Sequence, residues 1–341
     1  MHRNITSLFV LLFLSSFCIA AEDDPRVFVD PDNVNDPDFV YQGEFYGPLR
    51  LPNGSYEMTG LQVVALGDGK FSALQYKGGL PGNGWDNGPK LALQGEMQSG
   101  LIQLKHDAYT IAVDPNHAVV INTAGQQLGD LPKVRRKSLT LGHRPPHDAR
   151  VLFDGTSTEF FKDGKLTAEG LLKAGTITTF PVSDFQLHLE FRTPYMPDRG
   201  SQARGNSGVY IQERYEVQIL DSFGKTPEFN DSASIYRTKP PEMNMCFPPL
   251  QWQTYDIYFN AARFDDAGNK VGDARLTVFH NGIAVQRDER IPNKTGAGKK
   301  EGAEPMPIKL QDHKDPVVFR NIWIIEPSAP MNFAAETCVC R

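Results

Sequence analysis

The stretch Arg204-Gly-Asn-Ser-Gly-Val-Tyr-Ile-Gln-Glu-Arg-Tyr-Glu-Val-Gln-Ile-Leu-Asp-Ser-Phe-Gly224 contains two runs of alternating character. In the first, Val209 and Ile211 alternate with Tyr210 and Gln212; in the second, Val217 and Ile219 alternate with Glu216 and Gln218. Successive side chains of a strand point to opposite faces, so this alternation predicts two strands with one apolar face. The other face carries an aromatic ring, two amides and a carboxylate, which suits a groove for a polyhydroxylated ligand.

The same period recurs on either side. Phe185, Leu187, Leu189 and Phe191 alternate with Gln186, His188, Glu190 and Arg192, and a solvated face explains the second set as well as a binding face does. Gln251 to Phe259 reads as an aromatic-rich strand. Ala274 to His280 leads through Asn281-Gly282 into Ile283 to Gln286. Asn-Gly between two such runs predicts a type I′ hairpin, since that turn needs positive φ at both positions, and His280 then stands at the hairpin end. Many short strands with almost no helical period predict a mainly β protein whose second part is a β-sandwich or jelly roll.

Upstream, Leu61 to Leu66 and Phe71 to Tyr76 flank Gly67-Asp-Gly69, a hairpin with a three-residue loop. Residues 21–130 are expected to form a small, mostly β domain, and the Pro-containing basic stretch 131–149 a linker. Residues 327–341 are read as a tail.

The bulk properties narrow the function. A chain of 341 residues with net charge -6 and no basic block excludes nucleic acid as main partner, because phosphate neutralisation needs clustered Lys and Arg. Residues 1–20 read as a signal peptide: Arg3 gives the positive start, Leu8 to Leu14 the apolar core, and Cys18-Ile-Ala20 the small-x-small site. Export to the periplasm or exterior is expected, with no transmembrane segment in the mature chain. Cys246, Cys338 and Cys340 then remain, which is no disulfide scaffold.

Several motifs in one order carry a resemblance to a family. They are Val151-Leu-Phe-Asp-Gly155, Asp184 to Phe191, Arg204 to Tyr210, Arg214 to Ser222, Trp252-Gln-Thr-Tyr-Asp256, His280-Asn-Gly282, Leu310-Gln-Asp-His313 and Phe319-Arg-Asn-Ile-Trp323. Over 151–326 the chain resembles the 3-keto-disaccharide hydrolases, which have a concanavalin A-like jelly roll. The front part is similar to the extra domain of exported, planctomycete-type members. One departure is Lys314, where the family pattern has Gly.

The resemblance implies cleavage of a glycoside whose sugar is oxidised at C3. The ketone acidifies the C2 proton, and the enolate formed on its removal can expel the anomeric oxygen. Water added across the enone completes net hydrolysis; without that addition the enzyme is a lyase. Such a site needs a base near C2, a proton donor for the leaving oxygen, and donors or positive charge at the enolate. Glu216 and His313 lead as acid and base, with Asp221 and His280 behind them. Arg192, Asn206, Tyr210, Gln212, Gln218 and Trp252 are expected to position the sugar.

Glu216-Val-Gln-Ile-Leu-Asp221 also resembles the laminarinase signature Glu-x-Asp-x-x-Glu, and a β-bulge would bring Asp221 to the groove beside Glu216. Conventional glycoside hydrolysis and lectin-like binding of an oligosaccharide without turnover are the alternatives. No cofactor is required by this chemistry. Jelly rolls of this class often carry Ca²⁺, and a divalent ion can stabilise an enolate, but no spacing here names its ligands.

Overall fold

The computed structural model describes residues 24–331, so the expected signal peptide, Cys338, Cys340 and the end of the tail lie outside the described residues. Strands β1 (Gly43–Arg50), β2 (Tyr56–Ala65), β3 (Lys70–Lys77), β4 (Lys90–Gln98), β5 (Leu101–His106), β6 (Tyr109–Val113), β7 (His117–Asn122) and β8 (Gln127–Val134) follow in order. Each pairs antiparallel with the next, and β1 pairs with β8, which closes a barrel. Closure leaves no strand edge unpaired. The inward residues, among them Phe45, Leu61, Val63, Phe71, Ile102 and Leu131, are buried together and fill the barrel. The β2–β3 hairpin turns at Gly67, Asp68 and Gly69, all with positive φ, as the glycines predict.

The rest of the chain supplies β9 (Arg150–Phe153), β10 (Phe161–Lys162), β11 (Leu172–Lys173), β12 (Thr176–Thr178), β13 (Phe185–Arg192), β14 (Ser207–Ile211), β15 (Tyr215–Ile219) and β16 (Gln253–Asn260). After them come β17 (Arg263–Phe264), β18 (Lys270–Gly272), β19 (Ala274–His280), β20 (Ile283–Ile291), β21 (Lys309–Leu310) and β22 (Val318–Ile325). They form two main sheets, β10-β12-β21-β14-β15 and β11-β22-β13-β16-β19-β20, with β9 on β22. The sheets pack face to face as a jelly-roll sandwich. Val209, Ile211, Val217 and Ile219 from the first sheet meet Phe185, Leu187, Leu189, Phe191, Ile257 and Phe259 from the second in one core. Asn281 and Gly282 turn β19 into β20 with φ of 54° and 82°, as expected for type I′.

Barrel and sandwich are packed on each other. Phe28 bridges Tyr195, and Tyr195 and Leu250 join the barrel core. Arg136 lies bidentate on the buried Glu44 of β1. The stretch expected as a linker starts inside β8, and its continuation lies against the second sheet: Thr140 Oγ1 donates to Asp256 at 2.7 Å and the Gly142 N–H to Glu190 at 2.6 Å. Its hydroxyls and backbone amides supply partners that the buried polar face of that sheet needs.

Candidate active site

The register of β14 on β15 decides what shares a face. Tyr210 stands opposite Glu216 and Gly208 opposite Gln218, while Val209 faces Val217 on the core side. The outer face of the first sheet therefore carries Tyr210, Glu216 and Gln218, with Lys309 beside Tyr210 through the pairing of β14 with β21. Tyr236 and Gly296, from the connections that follow β15 and β20, lie over it.

Glu216 is 2% exposed, and its Oε2 has no hydrogen-bond partner. Burial pushes its carboxyl up to about 7, against the Tyr210 hydrogen bond and the positive charge of Lys309. No second carboxylate contributes to its electrostatics. The group can therefore take or give a proton near neutral pH. Gln218 continues the face: with its amide oriented to suit its neighbours, its N–H₂ donates to the Ser207 carbonyl at 2.7 Å and to Glu216 Oε1 at 3.2 Å. Asn206 lies within reach of Gln218, and its own N–H donates to Asp315 Oδ2 at 2.7 Å. His313, exposed on the loop after β21, contributes positive charge to Asp315. One face thus brings together Tyr210, Glu216 and Gln218, with Asn206 in reach of Gln218, while His313 lies on the loop after β21 and acts on Asp315.

The other expected site residues lie elsewhere. Asp221 follows the end of β15, is buried, and accepts from Arg204 Nε at 2.7 Å. Arg204 also donates to the Ala65 carbonyl of the barrel at 3.2 Å. No bulge carries Asp221 to the groove; it belongs to the contact between barrel and sandwich, and Glu216 stands alone. His280 points into the core against Phe191 and Tyr255, with Nε2 at 2.9 Å from Gln253 Oε1. Burial holds its imidazole down at about 3, hence neutral. Gln212 is a turn residue: Gln212 and Glu213 have φ of 52° and 51°, and the Gln212 amide donates to the Val182 carbonyl.

Arg192 and Trp252 belong to the second sheet, on the opposite side of the sandwich from Glu216. There Arg192 and Arg320 both lie over the Trp252 ring, at 5.1 and 3.9 Å. Alternation was right for Arg192, but alternation does not say which of two sheets a strand enters.

A family model described as the 3-keto-alpha-glucoside-1,2-lyase-like domain matches residues 148–325, more than half of the chain. The chain belongs to that family. Membership supports a glycoside-cleaving function. Solved structures similar to the chain include three proposed glycosyl hydrolases from Parabacteroides distasonis. One has 31% identity and a TM-score of 0.49, covering 53% of this chain and 85% of its own. The second has 17% identity and a TM-score of 0.38, covering 53% and 94%. The third has 22% identity and a TM-score of 0.36, covering 52% and 99%. No functionally curated protein matches the chain.

Within this 3-keto-glucoside lyase-like domain, Lys309 and Gln311 also border the candidate face, and the sequence reading did not single them out. Lys309 Nζ lies 5.9 Å from the Tyr210 ring centre, and the Gln311 N–H donates to the Gly208 carbonyl at 2.8 Å. The signal for Lys309 was a strand of two residues, too short to show alternation. Among the described residues no group of three or more His, Cys, Asp or Glu side chains comes together to hold a metal. No step below runs through a metal.

Proposed function

We propose that the protein is an exported enzyme that cleaves 3-keto-glycosides by elimination, with Glu216 as the base at C2. The observation that carries this reading is the buried carboxyl of Glu216, pushed up to about 7, on which no other carboxylate among the described residues acts. Retaining hydrolysis uses two carboxyl groups roughly 5 to 5.5 Å apart. A lone base poised near neutrality suits removal of a carbon-bound proton next to a ketone instead.

Glu216 takes the C2 proton, and the C–H electron pair forms the C2–C3 double bond, placing charge on the C3 oxygen. Lys309, whose charge acts on Glu216, is the cation proposed to stabilise it. The ketone then reforms, the C1–C2 double bond forms, and the C1–O bond breaks with its electrons on the leaving oxygen. That oxygen takes a proton, for which His313 on the loop after β21 is the donor proposed. Water adding across C1–C2 gives the free 3-keto-sugar. The apolar run Leu8 to Leu14 after Arg3 supports export.

The test is incubation of the purified protein with a 3-keto-glucoside and with its unoxidised parent in heavy water. Loss of only the keto compound, with deuterium at C2 of recovered or product sugar, is expected. Cleavage of both without deuterium uptake would assign conventional hydrolysis.

A further inference from the structure

Gln311 holds an oxygen that the fold leaves without a partner. Its backbone is fixed one residue past β21: the N–H donates to the Gly208 carbonyl, and the carbonyl accepts from Ser207 Oγ at 2.7 Å. The side-chain Oε1 is buried and makes no hydrogen bond within the protein. Glu216 Oε2, on the same face, is in the same condition. A buried acceptor without a donor is unfavourable, so two of them on one face mark the place of a ligand that brings donors.

Gly208 shows that the Glu216 and Gln311 side chains meet. A Cβ on it would stand 2.5 Å from Glu216 Oε1 and 3.2 Å from Gln311 Oε1. The Gly208 backbone is not left-handed, so conformation does not require glycine there; the Glu216 carboxyl, through its other oxygen Oε1, and the Gln311 amide packed over it do. Glu216 and Gln311 therefore converge over a strand position kept bare.

We propose that Gln311 is the specificity-determining residue of this site: its Oε1 accepts the hydrogen of the sugar's 2-hydroxyl and thereby turns the C2–H towards Glu216. The inference rests on the elimination reading above. The carbon at C2 carries one hydrogen and one hydroxyl outside the ring, so fixing the hydroxyl on one oxygen directs the hydrogen towards the other. A hydroxyl matched by a buried acceptor is discriminated strongly from its absence, because the unmatched acceptor stays dry.

The test compares a 3-keto-glucoside with its 2-deoxy counterpart on wild type and Gln311→Leu. Wild type is expected to favour the hydroxylated substrate about tenfold in kcat/KM, and Gln311→Leu to lose that preference while changing less than about twofold on the 2-deoxy substrate. An equal loss on both substrates would overturn the assignment. Gly208→Ala serves as a second variant, expected to raise KM for both substrates by displacing the Glu216 carboxyl and the Gln311 amide; an unchanged KM counts against the site. If wild type turns over neither keto sugar, the elimination reading fails and calorimetry decides on Gln311. A preference of wild type for glucoside over 2-deoxyglucoside that vanishes in Gln311→Leu sustains the contact, and equal binding of the two sugars overturns it.

Discussion

Strands β13 and β15 both alternate apolar and polar residues, and in the folded protein His188 and Glu190 of the first and Glu216 and Gln218 of the second are buried. On β13, His188 Nδ1 lies 2.6 Å from Asp256, and Glu190 accepts from Arg320, Asn321 and the Gly142 N–H. Burial would lower His188, but the Asp256 hydrogen bond and the charges of Asp256 and Glu190 hold it up to about 9. Burial would raise Glu190, yet its donors bring it down to about 2. His188 is paired with Asp256 and Glu190 with Arg320, and Trp323 stacks on His188 at 5.0 Å. On β15, Glu216 has a phenol, a distant lysine and an oxygen with no partner. Sequence pattern makes the two faces look alike; the count of satisfied partners separates a structural network from a site with work left for a ligand.

The largest expected effect tests that separation at Glu216. Glu216→Gln should lower kcat on a 3-keto-glucoside about 10³-fold, within the range of a lost general base. It should also raise stability at pH 8. The folded acid keeps its proton up to about 7, whereas the unfolded one releases it near 4.5, so wild type loses stability as pH rises between those values. The gain in melting temperature should therefore fade below pH 4.5. A variant of normal turnover would remove Glu216 from the chemistry.

Glu190→Gln is the counterpart on the other face. It leaves the His188 charge and Arg320 less compensated, and loss of a buried partner typically costs 3–5 kcal/mol, expected here as about 3 kcal/mol in urea unfolding with kcat within twofold. Within the wild-type network Glu190 has the opposite pH signature from Glu216, and His188 the same sign at higher pH. Glu190 is depressed, so its contribution is lost as pH falls from about 4.5 towards 2; His188 is raised, so its contribution is lost as pH rises through about 9. A fall in kcat of Glu190→Gln as large as that of Glu216→Gln would end the distinction between the faces.

A smaller effect concerns pH and Lys309. As a base Glu216 must be ionised, so kcat/KM should rise with pH through an ascending limb near 7. Lys309 favours the carboxylate, and Lys309→Met should move the limb upward. A limb unmoved in Lys309→Met would mean that the lysine charge does not reach the carboxyl.

Much of this was legible in the chain and part was not, for reasons tied to particular residues. Strand identity, the core face of β13 and the Asn281-Gly282 turn follow from period and turn chemistry, which are local. The barrel closure depends on β1 meeting β8, a pairing far apart in sequence that no local pattern carries. Gln212 and Glu213 turn a hairpin without Gly or Asn, so the run looked one residue longer than it is. Arg192, Trp252 and His280 had suitable chemistry for a site, but they lie on the other sheet or in the core. Asp221 was legible as one of two alternatives, and its ion pair with Arg204 selects the buried one.

The smallest effect concerns the loop that carries Gln311 and His313. Lys314, at the position where the resemblance leads one to expect Gly, has φ of 71°. A side chain in that left-handed region costs on the order of 1 kcal/mol, and glycine takes it without strain. The Lys314 N–H donates to Asp312 Oδ1 at 2.7 Å, a backbone contact that Lys314→Gly keeps. Glycine gives back part of the gain through the greater freedom of the unfolded chain, so the net stabilisation expected is about 0.5 kcal/mol, read as a rise of one or two degrees in melting temperature. Because Gln311 is fixed by its own two backbone bonds, kcat/KM should stay within twofold. A destabilised Lys314→Gly would show that the lysine side chain supports the groove edge, and would make that edge, like β13, part of the compensated structure instead of the open face.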